Sequence, residues 1–276
     1  MSVTQSPEIL LPPEAAWSPG FDAARATDVY LATVPVADRA KSDAYFEGGY
    51  WIEAWGTLIA VAVMGLMLRA GFVARLRDFA ERRTRRPFLQ VFIVALAFMA
   101  VLAIVLLPWE MYVHYFREHQ YGLSNHTPGG YLGEWAIRTA LFTLVASFAI
   151  AGIYALVRRV RERWVWWATG VTAVFMLVTI LIQPVFIAPL FNDYKSLPDG
   201  EVRESILALA EETEIEANDV SWFDASRQTK RISANVSGIG RTMRIALNDN
   251  LLNGTTLPEI RAVMGHEMGH YRLHHA

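Results

Sequence analysis

The sequence predicts a mainly α-helical fold. Polytopic membrane helices that form about four spans are followed by a small α+β region. Three observations predict it. Hydrophobic residues make up 53% of the 276 residues, four long apolar runs occur in series, and after residue 187 the chain changes to short runs of mixed polarity. Crossing about 30 Å of hydrocarbon takes roughly 20 helical residues. The apolar runs lie at 52–74, 88–107, 135–157 and 164–187.

Two of the loops between these runs are rich in arginine. The segment RLRDFAERRTRR follows the first run and holds six arginines, and RRVRER follows the third run and holds four. Short loops with such a positive excess lie on the cytoplasmic side of a membrane. Everything after the fourth run would then lie on the non-cytoplasmic side. We therefore expect an integral protein of the plasma or inner membrane, surrounded by the lipid bilayer, with a non-cytoplasmic C-terminal region.

The chain divides into three predicted parts. Residues 1–50 include the proline-rich ILLPPEAAWSPG and are expected to form an irregular, non-cytoplasmic segment. Residues 51–187 form the four-span membrane region, and residues 188–276 form the α+β region. The formal net charge of −2 gives no indication of nucleic-acid binding. Because the chain has no cysteine, disulfides and thiolate metal sites are excluded.

The α+β region starts with a helical pattern and continues with β-rich runs. EVRESILALAEETEI has apolar residues at near-helical spacing, and DVSWFDAS, RISANVSGIG and TMRIALNDN predict a small antiparallel sheet. A second helix starts at TLPE, where Thr256 and Glu259 form a capping box and Pro258 lies in the first turn. This helix continues through EIRAVMGHEMGHYRLHH.

The second helix carries a His-Glu-x-x-His motif. His266 and His270 are four residues apart, so both imidazoles project from one helical face and can share a zinc ion. Glu267 follows the first histidine, which puts its carboxylate beside the metal, where it can act as the general base. The alternative is a histidine-rich helix end that the helix dipole favours. A capped helix behind a small sheet favours a zincin-like metallopeptidase region.

The motif supplies two zinc ligands, whereas catalytic zinc sites usually have three protein ligands and a water. His274 lies eight residues after His266, about 12 Å along a straight helix, which is too far for the same shell. Upstream acids such as Asp249 and Glu259 could serve only by an unusual fold-back. We therefore expect the third ligand beyond the end of this sequence, and expect residues 188–276 to be the N-terminal part of an incomplete zinc metallopeptidase domain.

Several segments resemble the zinc-dependent CAAX prenyl endopeptidases, integral membrane metalloproteases related to the heat-shock membrane proteases of bacteria. HEMGHYRLHH is similar to that family's histidine motif, with His275 at a later histidine. FIAPLFNDYKSLPDGEV, SANVSGIGRTMRIALNDNLL and REHQYGLSNHT are similar to three further family segments. The resemblance implies that His266 and His270 bind zinc, that Glu267 is the general base, and that a downstream glutamate completes the shell.

The resemblance also implies where a substrate binds. SANVSGIG is similar to the family's Ser-Asn-Ala strand, which places Asn235 on the substrate-binding edge of the sheet. An extended peptide or membrane-protein substrate would add to the edge strand near Ala234, Asn235 and Val236 through backbone hydrogen bonds. The family's active site faces the cytosol, whereas the arginine-rich loops of this chain predict a non-cytoplasmic site.

Three other functions are compatible with the sequence. The chain could be a truncated or degenerate, non-catalytic membrane scaffold or binding protein, which would agree with the missing third ligand. It could be a quality-control protease for membrane proteins instead of a CAAX-processing enzyme. A channel or transporter is less favoured, because the runs at 88–107 and 164–187 have almost no polar face and no pair of broken helices is evident.

Overall fold

The computed structural model describes residues 12–16, 18–215, 217, 219–237 and 243–273. Its contacts divide the chain into two units, which separate between Ile59 and Ala60. The helices are α1 (Ala23–Leu31), α2 (Val36–Arg69), α3 (Phe72–Arg83), α4 (Pro87–Met111), α5 (Arg117–Gln120), α6 (Pro128–Val160), α7 (Trp164–Ile182), α8 (Glu201–Glu212), α9 (Asp249–Gly254) and α10 (Leu257–Arg272). The strands are β1 (Tyr194–Ser196), β2 (Val220–Phe223), β3 (Ala234–Ser237) and β4 (Arg244–Asn248).

Four helical segments are long and apolar enough to cross a membrane, namely Val36–Arg69, Pro87–Gln120, Pro128–Val160 and Trp164–Ile182. The prediction of about four spans is therefore confirmed. The second segment is continuous from α4 to α5, which a π-helical turn at Tyr112–Phe116 connects. The fourth segment has no buried residue in its most apolar stretch, as expected for a helix that contacts lipid.

The N-terminal segment is more helical than its proline-rich start predicts. Helix α1 begins after Asp22, whose carboxylate accepts two backbone N–H groups of the first turn at 2.9 and 3.2 Å. Helix α2 begins at Val36, well before the apolar run. The irregular structure predicted for residues 1–50 is therefore wrong for 23–31 and from 36 onward. Hydropathy marks where a helix enters the hydrocarbon, and not where its backbone begins.

Helices α4 and α6 form the main helix pair of the membrane region, and α3 packs against α4. Phe92 on α4 and Phe148 on α6 are in ring contact, with centroids 4.5 Å apart. Such an aromatic pair adds packing energy to the helix contact. The membrane region therefore contains the packed pair α4 and α6, with the shorter helix α3 packed against α4.

The four strands form one mixed sheet in the order β1-β2-β4-β3. Strand β1 is antiparallel to β2 and β3 is antiparallel to β4, but β2 and β4 are parallel. The predicted antiparallel sheet is thus wrong for the central pair, because residue alternation identifies a strand without fixing the direction of its neighbour. Strand β1 is only three residues long and was not expected, since it lies in a segment rich in turn residues.

One face of the sheet packs against helices α8 and α10. The core that they share contains fully buried side chains, among them Ile206 on α8, Leu247 on β4 and Met264 on α10. Burial of an aliphatic side chain of this size contributes about 1.5–3 kcal/mol. This core fixes α10 relative to the sheet, and so positions the histidine motif.

Candidate metal centre

Helix α10 begins with the predicted capping box. Glu259 accepts the backbone N–H of Thr256 at 2.7 Å and its hydroxyl at 2.8 Å. These hydrogen bonds favour the carboxylate and lower the pKa of Glu259. Pro258 lies in the first turn, where its missing N–H leaves no helical bond unmade. The start of the motif helix is therefore fixed by local interactions.

The buried face of α10 turns the histidine motif outward. Ile260, Met264 and Met268 recur every four residues, and all three are fully buried. At about 100° per residue, His266 lies about 200° around the helix from Met264. His266 and His270 are accordingly exposed. The periodicity of the core residues thus sets the direction in which the two imidazoles project.

The two imidazoles converge on one point. The Nε2 atoms of His266 and His270 lie 2.9 Å apart, and the ring centroids are 4.5 Å apart with the planes at 89°. In a tetrahedral zinc shell with Zn–N bonds of about 2.0–2.1 Å, two nitrogen ligands lie about 3.3 Å apart. The pair therefore fits one zinc ion after a small adjustment of either side chain.

Glu267 lies beside the histidine pair. It follows His266 directly in the sequence, so it is about 100° further around the helix. Its side chain is partly buried, whereas both histidines are exposed. Glu267 therefore lies on the helix next to the face that carries the two histidines. The motif therefore offers two candidate zinc ligands, the histidines, and one candidate general base, Glu267.

Within the described ranges, no group of three His, Cys, Asp or Glu side chains could hold a metal ion. Asp249 accepts the backbone N–H of Ser226 at 2.8 Å, and Glu259 is engaged in the capping box. Neither upstream acid joins the histidine pair. His274 and His275 lie outside the described residues. Of the candidate site residues on α10, the structure therefore places only His266, Glu267 and His270 together.

Strand β3 forms an edge of the sheet and packs against α10. Ala234, Asn235 and Val236 pair with β4 on one side, and no strand in the part of the chain that the structure describes pairs with their other side. Ala234 and Val236 belong to the shared core. Asn235 alternates to the opposite face, where its amide oxygen accepts the Ser237 hydroxyl at 3.4 Å. The three predicted substrate-binding residues therefore lie on a sheet edge next to the motif helix.

A contact that the sequence does not reveal holds the chain leading into β3. We call residues 118–126, which run from the end of the second membrane segment towards the start of the third, the docking segment. The backbone N–H of Asn125 donates to the carbonyl of Gln228, and the N–H of Lys230 donates to the carbonyl of Leu123, both at 3.0 Å. These two bonds attach the docking segment to the chain that precedes β3.

Side chains strengthen the same attachment. The Asn125 amide donates to the carbonyl of Ser226 at 2.9 Å, and Arg231 pairs with Glu118 at 2.9 Å. The partners are separated by more than 100 residues in the sequence, so no local pattern could have predicted these contacts. In the sequence, only the similarity of REHQYGLSNHT to a family segment indicated that this part of the chain is important.

Glu134 on α6 joins the membrane region to the same chain. Its carboxylate accepts the Gln228 side-chain amide at 2.8 Å and lies 3.5 Å from Nε2 of His126. Burial lowers the pKa of His126, and the nearby charge of Glu134 opposes that change. His126 is therefore mainly neutral at neutral pH, and the contact does not depend on a charged imidazole.

Two family models match the chain. Residues 27–193 match the family described as "CAAX prenyl protease N-terminal, five membrane helices", and residues 196–276 match "Peptidase family M48". The first match covers more than half of the chain. The family description has five membrane helices, whereas the described residues contain four segments that could cross a membrane.

Several curated proteins are similar to this chain. The uncharacterized metalloprotease YhfN of Bacillus subtilis is 32% identical over 212 residues, which are 76% of this chain and 49% of the relative. CAAX prenyl protease 1 of Saccharomyces cerevisiae is 30% identical over 191 residues, which are 66% of this chain and 41% of the relative. The chain therefore spans about half, or less, of the length of these relatives.

A solved structure shares the fold. The crystal structure of S. mikatae Ste24p matches with a TM-score of 0.77 at 22% sequence identity, over 88% of this chain and 58% of that chain. The resemblance to the CAAX prenyl endopeptidases that the sequence predicts is confirmed, as is the mainly α-helical membrane fold with a small sheet. The chain belongs to peptidase family M48, a family of metalloproteases, and its residues 27–193 match the N-terminal membrane region of that family.

Proposed function

We propose that this chain supplies part of the active site of a membrane-embedded zinc metalloendopeptidase, which hydrolyses peptide bonds of a protein or peptide substrate. The observation that carries the proposal is the convergence of His266 and His270 on one face of α10, with their Nε2 atoms 2.9 Å apart. These two residues would hold Zn²⁺ together with a third ligand from outside the described residues. Membership of family M48 supports a metal-dependent peptidase.

Glu267 is the proposed general base. Zinc in such a site acts as a Lewis acid, which acidifies water and stabilises negative charge on the carbonyl oxygen of the scissile bond. Glu267 accepts the proton of the attacking water and later donates a proton to the leaving amine. Glu267 directly follows His266 in the sequence and is partly buried, which supports a role as base instead of ligand.

Strand β3 is the proposed substrate-binding edge. The edge of a sheet presents backbone N–H and C=O groups to which an extended peptide can add as a further strand. Ala234, Asn235 and Val236 would form these backbone hydrogen bonds. The packing of β3 against α10 supports this role, because a peptide on this edge would lie beside the helix that carries the histidine pair.

The roles are tested by measuring bound zinc and peptide cleavage for the full-length protein in lipid vesicles. We expect Glu267→Gln to keep its zinc and to lose cleavage by a factor on the order of 10² to 10⁴. We expect His266→Ala and His270→Ala to lose both. The matched control is His114→Ala, which changes an exposed histidine on the π-helical turn and should leave both measurements unchanged. Full cleavage by Glu267→Gln would contradict the proposed base.

The substrate class can be tested in the same vesicles. Relatives from Saccharomyces cerevisiae and Taenia solium are named CAAX prenyl proteases, so a prenylated peptide with a C-terminal CAAX sequence is the first substrate to assay. The alternative is a quality-control protease, which would instead cleave a destabilised membrane protein. Faster cleavage of the destabilised protein than of the CAAX peptide would support the alternative.

A non-catalytic membrane scaffold or binding protein is the second candidate. It is favoured by the observation that the described residues contain no group of three metal ligands. This candidate predicts weakly held, sub-stoichiometric zinc and no hydrolysis of either substrate by the wild-type protein. Stoichiometric zinc together with turnover would exclude it.

We also propose that residues 51–187 are the membrane region and residues 188–276 belong to the peptidase domain, which lies on the non-cytoplasmic side of a plasma or inner membrane. The docking segment runs from the end of the second membrane segment towards the start of the third and bonds to residues 226–231. The peptidase region therefore shares a side with that connection. The arginine-rich loops follow the first and third membrane segments, so they belong to the opposite side.

A further inference from the structure

A crevice of about 530 Å³ opens between α3, α4 and α6, at the arginine-rich end of the membrane region. Polar side chains line one part of it, namely Arg77 and Glu81 on α3, Gln90 on α4, and Tyr154 and Arg158 on α6. The crevice is separate from the histidine motif, and the proposed peptidase reaction makes no use of it.

The polarity of the crevice changes along the helices. On α4 the lining changes from the polar Gln90, through Val94, to the apolar Phe98. On α6 it changes in the same way from Arg158 to Ile150. Each stretch is eight residues, or about 12 Å. The hydrocarbon of one leaflet is about 15 Å deep, half of a core of about 30 Å. The crevice therefore has the depth and the polarity gradient of one leaflet.

Arg158 is the available cation of this crevice. Arg77 is paired with Asp78 at 2.7 Å and lies 3.9 Å from Glu81, so its charge is already balanced. Arg158 is exposed and makes no ion pair with any residue in the described part of the chain. Tyr154 lies one helical turn before it on the same face, so a hydroxyl and a guanidinium can donate to the same anionic group.

We propose that this crevice binds one anionic phospholipid. Its phosphate would accept hydrogen bonds from Arg158 and Tyr154, and an acyl chain would lie along Val94, Phe98 and Ile150. Arg77 and Arg158 belong to the arginine-rich segments RLRDFAERRTRR and RRVRER, whose net positive charge attracts anionic headgroups. A lipid with no net charge would gain the apolar contacts but not this electrostatic attraction. The site therefore selects phosphatidylglycerol over phosphatidylcholine.

The test uses the full-length protein in vesicles of equal parts phosphatidylglycerol and phosphatidylcholine, extracted into mild detergent. Native mass spectrometry then measures the ratio of the two lipids retained by the protein. We expect retained phosphatidylglycerol to exceed phosphatidylcholine, and Arg158→Gln to lower that ratio about fivefold. The matched control is Arg159→Gln, which removes an adjacent exposed arginine that does not line the crevice and should lower the ratio less than Arg158→Gln does.

A second variant tests the apolar half of the site. Val94→Trp fills the crevice without altering any charge, and it should reduce total retained lipid, whereas recognition of a headgroup alone would be unaffected by it. The unfolding midpoint in lipid-free detergent shows that each variant is folded. Equal retention of both lipids by the wild type, or equal losses in Arg158→Gln and Arg159→Gln, would overturn the proposal. Wild-type retention by Val94→Trp would overturn the acyl-chain site.

Discussion

Gly265 and Gly269 lie in the interior of the motif helix, where glycine is less favourable than alanine by up to about 1 kcal/mol. A Cβ added at Gly265 would meet Leu209 at 3.9 Å, which is an ordinary contact, and a Cβ added at Gly269 would meet no described atom within 4 Å. We predict that Gly265→Ala and Gly269→Ala each increase the free energy of unfolding by about 0.5–1 kcal/mol. Thermal unfolding of the purified variants measures this change.

A glycine outside the motif provides a control of opposite sign. Gly71 precedes α3 with φ = 66°, a left-handed conformation that costs a residue with a Cβ about 1–2 kcal/mol. Gly71→Ala should therefore lower the unfolding midpoint in the same assay. A lower midpoint for both motif variants would contradict the prediction, because it would mean that the helix surface is less open than described.

The capping carboxylate of Glu259 predicts a pH dependence. Its pKa is lower in the folded protein than in the unfolded chain, because Thr256 donates two hydrogen bonds to it. The unfolded chain therefore binds the proton first as the pH falls. The stabilisation is complete above the unfolded pKa, about 4.3, and is lost as the pH falls through the folded pKa.

The variant Glu259→Gln cannot titrate and isolates this contribution. We predict that wild type has the higher unfolding midpoint at neutral pH, and that the difference narrows below about pH 4.3. A difference that stays constant from neutral pH to about pH 3 would show that the carboxylate charge is not what stabilises the first turn of α10.

The docking segment holds the chain that leads into β3, so a weaker attachment should increase the mobility of the proposed substrate-binding edge. The Asn125 side chain donates to the Ser226 carbonyl at 2.9 Å, and a hydrogen bond of this kind contributes about 0.5–1.5 kcal/mol. We predict that Asn125→Ala increases hydrogen exchange in residues 226–231 and in β3. If β3 binds substrate, KM should rise more than kcat falls. Mass spectrometry of deuterium uptake measures the first effect.

The control for this prediction is Asn253→Ala, which alters an exposed asparagine on α9 and should leave exchange in β3 unchanged. Increased exchange in β3 for both variants would indicate a general loss of stability. Unchanged exchange in Asn125→Ala would show that the backbone bonds of the docking segment are sufficient to hold the chain before β3.

At the scale of the whole molecule, the membrane orientation can be measured by labelling single cysteines introduced into these 276 residues, which contain no cysteine of their own. Single cysteines can be introduced by Asn253→Cys in the peptidase region and by Arg85→Cys in the first arginine-rich loop, both at exposed positions. We predict that a membrane-impermeant maleimide added to intact cells labels the first variant and not the second. Labelling with the reverse pattern would place the peptidase region in the cytosol, as the family resemblance implies.

The sequence predicted the features that depend on neighbouring residues. The apolar runs located four membrane segments, and the spacing of Thr256 and Glu259 located the start of the motif helix. Features that depend on distant residues could not be predicted. The parallel pairing of β2 with β4 and the docking of residues 118–126 onto 226–231 join segments far apart in the chain. The zinc ligands and the base stay predictions, because two histidines alone do not close a metal shell.

The π-helical turn at Tyr112–Phe116 sets a phase difference within one continuous segment. A π turn accommodates about one additional residue, so every later side chain is rotated by about 100° relative to an uninterrupted α-helix. Before the turn, the segment packs against α6. After it, Glu118 reaches Arg231. The π turn thus determines which way Glu118 points without changing the face of α4 that packs against α6. Deletion of one residue in the turn would rotate Glu118 away from Arg231 and leave the packing of α4 against α6 unchanged.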